Sequence, residues 1–490
     1  MMDNQSGRAE ALENGSEDIV DEAHRLRGNM GLAKLIFIVA AFNAPLTIVA
    51  STVHLAIGFG NGVQAPLLFI GLGVVMSVFA VGYNTMAKIL PRAGAFYTFV
   101  TAGLGRHLGL VASFVAVVTY ALALLGTLPF FGLAFDSLLR SHGAKGVPWW
   151  LAAVLLAGVV GCLGYLRVDF SARVLGVVVV LEILALVIYD IVVAVHGGAD
   201  RQLSTESFDI RTFTFSGVGV GILFAFSCFS GFESTALYRD EVRDPARTIP
   251  RATYLAVGII AVFYAVTSWL IIQAWGPAKA GEAIADNPAG AFLVSVRTYL
   301  GPFLVDIITA MLVTSAFASI LALHNVVSRY LFNLGVDGVL PRFFGRPHPQ
   351  FGSPYRTSTM LTAVLMVFVV ITAAAGADPQ RVYTVFAGMS GFGFVLLLLL
   401  AAVGISAYLV RRGRQHFSVW RWSVAPITSL LLVGVIAVLV TTNLDSMTGS
   451  SRLSTVTLVA FACVVAAGLV AGEVWRYRLK RAPRGLSEIQ

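Results

Sequence analysis

Long apolar runs alternate with short polar segments along the chain. The runs hold about twenty residues or more, enough for a helix to cross a hydrocarbon core about 30 Å thick. The pattern therefore predicts an all-α polytopic membrane protein with twelve transmembrane helices. Their predicted bounds are 32–57, 65–90, 108–134, 147–166, 169–195, 215–238, 252–275, 302–333, 357–375, 381–409, 424–442 and 454–474.

The positions of lysine and arginine orient these helices. With a cytoplasmic N-terminus, 26 of the 34 Lys and Arg residues fall on the cytoplasmic side of the twelve-helix arrangement and 8 on the outer side. This bias is the positive-inside pattern, so both termini are expected in the cytoplasm. The preference for arginine, with 29 Arg against 5 Lys, is typical of a GC-rich genome and favours the plasma membrane of a bacterium, its inner membrane.

Composition supports a membrane location and argues against nucleic acid, a metal or a cofactor as a partner. Only 12% of residues are charged, whereas a soluble protein has about a quarter. The net charge of +8 is explained by helix orientation and by anionic lipid, so no nucleic-acid partner is expected. The three cysteines lie in apolar spans at spacings that fit neither a zinc site nor a disulfide framework. No metal and no cofactor are expected.

Two interruptions divide the chain into related halves. Helix 1 reads AAFNAPLTIVAS from Ala40 to Ser51, and helix 6 reads FSCFSGFE from Phe226 to Glu233. They are five helices apart and so cross in opposite directions, which predicts an inverted repeat with a binding site near the midplane. The predicted regions are a disordered cytoplasmic tail (1–30), a ten-helix core (31–410) with repeats over about 31–200 and 215–410, helices 11 and 12 (411–475), and a cytoplasmic tail (476–490).

The interruption in helix 1 predicts donors for an anion. Pro45 disrupts a continuous helix but is well placed to begin a new one, and Asn43 is a suitable cap before it. The amides of Leu46, Thr47 and Ile48 would then be unpaired at a positive helix end, where a carboxylate binds well. The alternative is an ordinary proline kink, with the freed carbonyl satisfied by Asn43 or Thr47.

The interruption in helix 6 predicts acceptors for a cation. Gly231 permits an unwound turn, which frees carbonyls near Ser227 and Ser230 at a negative helix end. Together the two interruptions describe a receptor for a zwitterion. The predicted substrate-binding residues are Asn43, Ala44, Leu46, Thr47, Ile48, Phe226, Ser227, Phe229, Ser230, Gly231 and Phe232.

Three segments resemble the amino acid–polyamine–organocation (APC) superfamily of permeases. They are GFESTALYRDEVRDPARTIPRAT from Gly231, NVVSRYLFNLGVDGVLP from Asn325, and LPRAGAFY from Leu90. The resemblance covers roughly residues 28–475 and implies a five-plus-five inverted-repeat fold with coupled uptake or exchange of amino acids or related amines. The chain departs from the superfamily at Asn43-Ala44-Pro45, where a glycine-rich break is usual, and at Ser227, where a bulky aromatic gate is common.

Four acidic residues lie within the predicted spans. Asp190 and Asp306 are near the outer ends of their helices and are expected to be solvated at the interface. Glu233 follows the helix 6 interruption and is expected to orient the unwound segment or to gate the site, with proton coupling as the alternative role. Glu182 lies near the centre of helix 5 with no local partner.

Two roles for Glu182 stay open. By resemblance, this level of helix 5 faces the place where sodium-coupled relatives hold an ion, and some proton-coupled relatives have a lysine there. Apolar surroundings disfavour a charged carboxylate, so Glu182 could carry a proton as access alternates. It could instead pair permanently with a polar group of helix 8, and the candidates are Ser315, Ser319, His324 and Asn325. Ser315 and Ser319 are also possible oxygen ligands for sodium.

A polytopic chain could be a transporter, a membrane sensor or a membrane enzyme. The favoured prediction is a secondary active transporter of amino acids or amines that works by alternating access, as a proton-coupled symporter. A sodium-coupled symporter or an exchanger of the same fold is the alternative, and a membrane sensor without transport is the alternative from another class. No HExxH or GxSxG element is present, and the eight histidines are scattered, so no enzyme is predicted. The sequence predicts no oligomeric state.

Overall fold

The structure is a computed structural model that describes residues 31–90, 96–166, 172–215, 217–233, 235 and 242–481. The predicted disordered tail over residues 1–30 lies outside the described residues. So do 482–490 of the predicted C-terminal tail, and parts of the charged loop after Glu233 and of the segment from Leu90 to Tyr97.

The described residues form helices and no β-strand. The α-helices are α1 (Leu32–Asn43), α2 (Pro45–Ile48), α3 (Ala65–Ile89), α4 (Phe96–Leu104), α5 (Arg106–Ser141), α6 (Trp149–Leu166), α7 (Ala172–His196), α8 (Val218–Ser227), α9 (Pro245–Trp275), α10 (Ala280–Asp286), α11 (Ala291–Val336), α12 (Tyr355–Ala374), α13 (Pro379–Arg412), α14 (Ala425–Thr442), α15 (Leu444–Thr448) and α16 (Ser451–Arg481). The π-helical turns Val49–Val53 and Ala56–Asn61 continue α2 towards α3, and a further π-helical turn, Trp420–Val424, precedes α14.

Within the described residues, ten helical runs are long and apolar enough to cross a membrane. They account for ten of the twelve predicted spans, and the all-α polytopic class is confirmed. The other two predicted spans, 32–57 and 215–238, are the ones with predicted interruptions. The first is divided between α1 and the run that leads into α3. The second is described over 215, 217–233 and 235, where it contains the ten-residue helix α8.

Local sequence explains where several helices begin. Proline occupies one of the first two positions of α2, α3, α9, α13 and α14. Its missing N–H removes a donor that would lack a partner there in any case. Asp378 caps α13 by accepting hydrogen bonds from the amides of Gln380 and Arg381.

The packing of the helices places α5 and α13 beside the two interruptions. α5 packs against α11, α13 and α16, while α13 also packs against α8. α2 contacts α7 and α11. α5, α11 and α13 therefore supply the remaining walls of the site at Asn43 and Ser227, and α7 packs behind α2.

Candidate binding site

The first helix break lies at Ala44. This residue adopts a left-handed conformation with φ 43° and ψ 73°, between the end of α1 at Asn43 and the start of α2 at Pro45. A left-handed conformation is uncommon for alanine and ends the helical hydrogen-bond ladder. The interruption predicted at Asn43-Ala44-Pro45 is therefore a break between two helices and is not a proline kink within one continuous helix.

The second helix break follows Ser227. The chain turns from Cys228 to Glu233, and Gly231 has φ 98°, a conformation that favours glycine. The Ser227 carbonyl accepts a hydrogen bond from the Ser230 amide at 3.1 Å. Because a carbonyl oxygen has two lone pairs, this acceptor retains capacity for a second donor.

The two breaks border one cavity of about 120 Å³. Asn43, Thr47 and Ile48 line it from the first break, and Ser227 and Ser230 line it from the second. These five belong to the eleven predicted substrate-binding residues. The other six, which do not line the cavity, are Ala44, Leu46, Phe226, Phe229, Gly231 and Phe232.

The cavity contains buried polar atoms that the protein does not satisfy. Neither polar atom of the Asn43 amide, nor the Thr119 hydroxyl, has a hydrogen-bond partner among the described residues. Asn43 is 4% exposed and Thr119 is 1% exposed. Buried polar groups in proteins nearly always have a partner, so these atoms offer free hydrogen-bonding capacity at the cavity wall.

Glu182 lies directly behind the first break. Its Oε2 accepts a hydrogen bond from the Leu46 amide at 3.2 Å, and Glu182 is 2% exposed. The Ser315 hydroxyl accepts a bond of 2.8 Å from the Thr47 hydroxyl and also interacts with the Glu182 carboxylate. α7, α2 and α11 are joined at this point by a carboxylate and two hydroxyl groups.

This arrangement changes the expected role of the α2 amides. The Leu46 amide, one of three predicted donors to a substrate carboxylate, is engaged by Glu182. The Ile48 amide donates to the Ala44 carbonyl at 3.1 Å. Glu182 thus supplies within the protein the carboxyl acceptor that sequence reasoning had assigned to a ligand, and the Asn43 and Thr47 side chains remain at the cavity wall.

Glu233 stabilises the second break. Its Oε2 accepts the Gly231 amide at 2.8 Å, and its Oε1 accepts the Tyr120 hydroxyl at 3.1 Å. The Tyr83 hydroxyl donates to the Glu233 backbone carbonyl at 2.7 Å. Since Tyr120 also lines the cavity, Glu233 links the unwound segment to a cavity wall.

Sequence reasoning missed the contributions of α5 and α13. Thr119, Tyr120 and Thr127 line the cavity from α5, and Tyr383 and Ser390 line it from α13. Ser51 and Thr52 extend the wall formed by α2. Hydroxyl groups within otherwise apolar helices were the available signal, but their relative positions depend on tertiary packing.

The remaining candidates from the sequence lie in different places. Ser319 lines the cavity, whereas Ser315 is fully buried against Thr47 and Glu182.

The expectation that Asp190 is solvated is wrong. Asp190 is 7% exposed and accepts a 2.7 Å hydrogen bond from Thr267, because α9 packs over that face of α7.

Comparisons with known proteins agree with this architecture. The family model described as Amino acid permease matches residues 45–485. An uncharacterized transporter of Mycobacterium tuberculosis is 26% identical over 405 residues, which cover 81% of this chain and 84% of that protein. The low-affinity putrescine importer PlaP of Escherichia coli is 23% identical over 453 residues, which cover 90% and 94%. An L-asparagine permease of Salmonella typhimurium is 22% identical over 392 residues, which cover 76% and 75%.

Among solved structures, a manganese transporter of Eremococcus coleocola has a similar fold. In complex with an aromatic bis-isothiourea substituted compound, it matches 94% of this chain and 99% of its own, with TM-score 0.56 and 12% identity. At that identity the likeness concerns the fold alone. The family match covers most of the chain. Members of this family are multi-pass membrane transporters of small molecules and are not enzymes, and the same holds for this chain. The chain belongs to the amino acid permease family, within the APC superfamily.

Proposed function

We propose that the protein is a secondary active transporter that moves small, neutral, polar amino acids by alternating access, as a proton-coupled symporter. The observation that carries the proposal is the cavity bordered by both helix breaks, with the unsatisfied Asn43 amide in its wall. Helix breaks that meet near the midplane are where secondary transporters of this architecture bind substrate.

The cavity walls support a neutral polar amino acid over a diamine. Among the described residues, the cavity lining contains hydroxyl and amide groups and no Asp, Glu, Lys or Arg side chain. A diamine such as putrescine, named for one relative, carries two positive charges that would need carboxylate partners. The volume of the cavity, about 120 Å³, also limits the size of the substrate. For comparison, a cavity of about 150 Å³ accommodates benzene. L-Serine is small and polar enough to fit.

Glu182 is the proposed proton carrier. It is the carboxylate in contact with the first break, and its bond to the Leu46 amide connects its protonation state to the position of α2. The Ser315 hydroxyl interacts with Glu182 and Thr47 in the place where a sodium ion would need free oxygens. This arrangement supports proton coupling over the sodium-coupled alternative. Glu233 and Tyr120 are proposed to gate the cavity.

The proposed architecture has twelve transmembrane helices with cytoplasmic termini, in a bacterial inner membrane. Residues 31–410 would form two inverted repeats of five helices, with the broken helices at Ala44 and at Cys228–Glu233. Helices 11 and 12 would follow over residues 411–475. The tails, 1–30 and 476–490, would lie in the cytoplasm.

Flux in proteoliposomes tests this function. We expect labelled L-serine to accumulate under an inward pH gradient without sodium, and a sodium gradient at equal pH to have little effect. A panel of amino acids and diamines compares cargo classes under both gradients. Absence of flux across the whole panel would remove the transporter proposal, and accumulation only with sodium would remove proton coupling.

A further inference from the structure

The cavity between the two helix breaks is called the central cavity. A second cavity, of about 230 Å³, lies beyond one of its walls. Its lining includes Thr101, Arg106, Ser113, Tyr330 and Asp337. In the orientation predicted from charge, helix 3 (108–134) begins on the cytoplasmic side, and Arg106 lies two residues before it. Asp337 directly follows α11, whose C-terminal end is predicted to be cytoplasmic in the same orientation. We call this space the vestibule.

A layer of tyrosine rings divides the vestibule from the central cavity. Tyr120 lines the central cavity and Tyr330 lines the vestibule, with 6.2 Å between their ring centroids. Tyr97 packs edge-on against Tyr330 at 6.0 Å and also lines the vestibule. A solute that leaves the central cavity past these rings would enter the vestibule next.

The vestibule combines opposite charges, whereas the residues that the structure describes in the lining of the central cavity carry none. Arg106 supplies a guanidinium and Asp337 a carboxylate. In the part of the chain that the structure describes, no ion pair joins these two residues. An unneutralised cation and anion at one cavity match the carboxylate and ammonium of an amino acid.

The last helix holds both charged residues in place. The Arg106 guanidinium lies 3.6 Å from the centroid of the Trp475 ring, and the Trp475 indole N–H donates to the Asp337 carbonyl at 3.2 Å. Stacking on an aromatic ring restrains the long arginine side chain and leaves its N–H donors free at the edge of the plane. α16 thereby contacts the side chain of Arg106 and the backbone of Asp337.

We propose that the vestibule is a second binding site for the zwitterionic part of an amino acid, with Arg106 for the carboxylate and Asp337 for the ammonium. The site rests on the proposed function for its role, as a station between the central cavity and the cytoplasm. Because it recognises the backbone groups of an amino acid, it tolerates a wider range of side chains than the central cavity.

Equilibrium binding of labelled L-serine to the purified full chain tests the site. Ser227→Trp fills the central cavity, and we expect it to retain one L-serine site. Adding Arg106→Gln or Asp337→Asn should weaken that binding roughly tenfold to a hundredfold, as expected when a charged hydrogen bond is lost. Arg342→Gln is the matched control, because Arg342 is exposed and does not line the vestibule. If Ser227→Trp does not fold, Ala387→Trp blocks the same cavity from α13.

Trp475 provides an independent optical readout. L-Serine that displaces the Arg106 guanidinium should change the indole emission of the wild type, and Trp475→Phe should lose that change. L-Serine binding that is insensitive to both Arg106→Gln and Asp337→Asn would overturn the proposal, whatever the uptake assay shows. Loss of gradient-driven uptake with Arg106-dependent binding intact would instead count against the proposed transport function.

Discussion

At the scale of single residues, two buried carboxylates have comparable roles at the two breaks. Glu182 accepts the Leu46 amide at the first break, and Glu233 accepts the Gly231 amide at the second. A buried carboxylate is costly unless hydrogen bonds compensate it, so each backbone break and its carboxylate stabilise one another. They differ in surroundings: Glu233 also receives the Tyr120 hydroxyl, whereas Glu182 lies beside the Thr47 and Ser315 hydroxyls.

Replacing Glu182 with glutamine tests its role as proton carrier. Glutamine keeps an oxygen for the Leu46 amide but cannot release a proton, so we expect pH-driven accumulation to fall towards equilibrium. Exchange of internal for external substrate should retain most of its rate. Both are measured in proteoliposomes, with Asp190→Asn as a control at a buried carboxylate away from the cavity. Full accumulation by Glu182→Gln would exclude Glu182 as the obligatory proton site.

Tyr120→Phe tests the link between Glu233 and the cavity wall. The substitution removes one donor from a buried carboxylate while keeping the ring, so we expect a loss of about 1–3 kcal/mol in the free energy of unfolding. A double-mutant cycle with Glu233→Gln measures the coupling between the two side chains. Additive effects of the two substitutions on stability and exchange rate would mean that the 3.1 Å contact has no energetic role.

At the scale of secondary structure, interrupted helices distinguish this chain from a simple bundle. α1 ends at Asn43 and α8 at Ser227, and both ends border the same cavity. Proline and glycine supply the local cause, since neither favours a continuous helix at these positions. The sequence predicted both breaks because their cause is local.

Gly231→Leu tests the second break. Gly231 has φ 98°, which a leucine rarely adopts, so the unwound segment must rearrange and substrate binding in the central cavity should be lost. Thermal shift with L-serine, measured in an Arg106→Gln background that weakens the vestibule site, reports the loss as a missing increase in melting temperature. Gly434→Leu is the matched control, because Gly434 lies within α14 with open space beside it. Wild-type affinity in Gly231→Leu would contradict the proposed site.

At the scale of the whole molecule, charge distribution and packing determine different properties. The excess of Lys and Arg on alternate loops predicts the orientation of the helices in the membrane. The packing of α5, α11 and α13 around the breaks creates the central cavity and, beyond the tyrosine layer, the vestibule. Orientation can therefore be tested without reference to the binding site.

Reporter fusions test the orientation. Alkaline phosphatase fused after Gly143, in the loop that follows α5, should be active because that loop is predicted outside. Green fluorescent protein fused after Gly345, in the loop that follows α11, should fluoresce because that loop is predicted inside. Exchanging the two reporters between the sites is the control and should silence both. The reverse pattern would invert the proposed topology.

The sequence by itself determined the membrane class, ten of the predicted spans, the positions of both breaks and the family resemblance. These follow from hydrophobic runs, charge bias and proline or glycine placement, all of which act over a few neighbouring residues. Five of eleven predicted binding residues line the cavity, because they are adjacent in sequence to a break.

Only the tertiary structure decided which partners these residues meet. The Leu46 amide meets Glu182, which is 136 positions away along the chain, and the Thr47 hydroxyl meets Ser315, which is 268 positions away. The burial of Asp190, the tyrosine layer and the vestibule likewise arise from contacts between distant helices. No local pattern encodes such pairings, since they depend on how all the helices pack together.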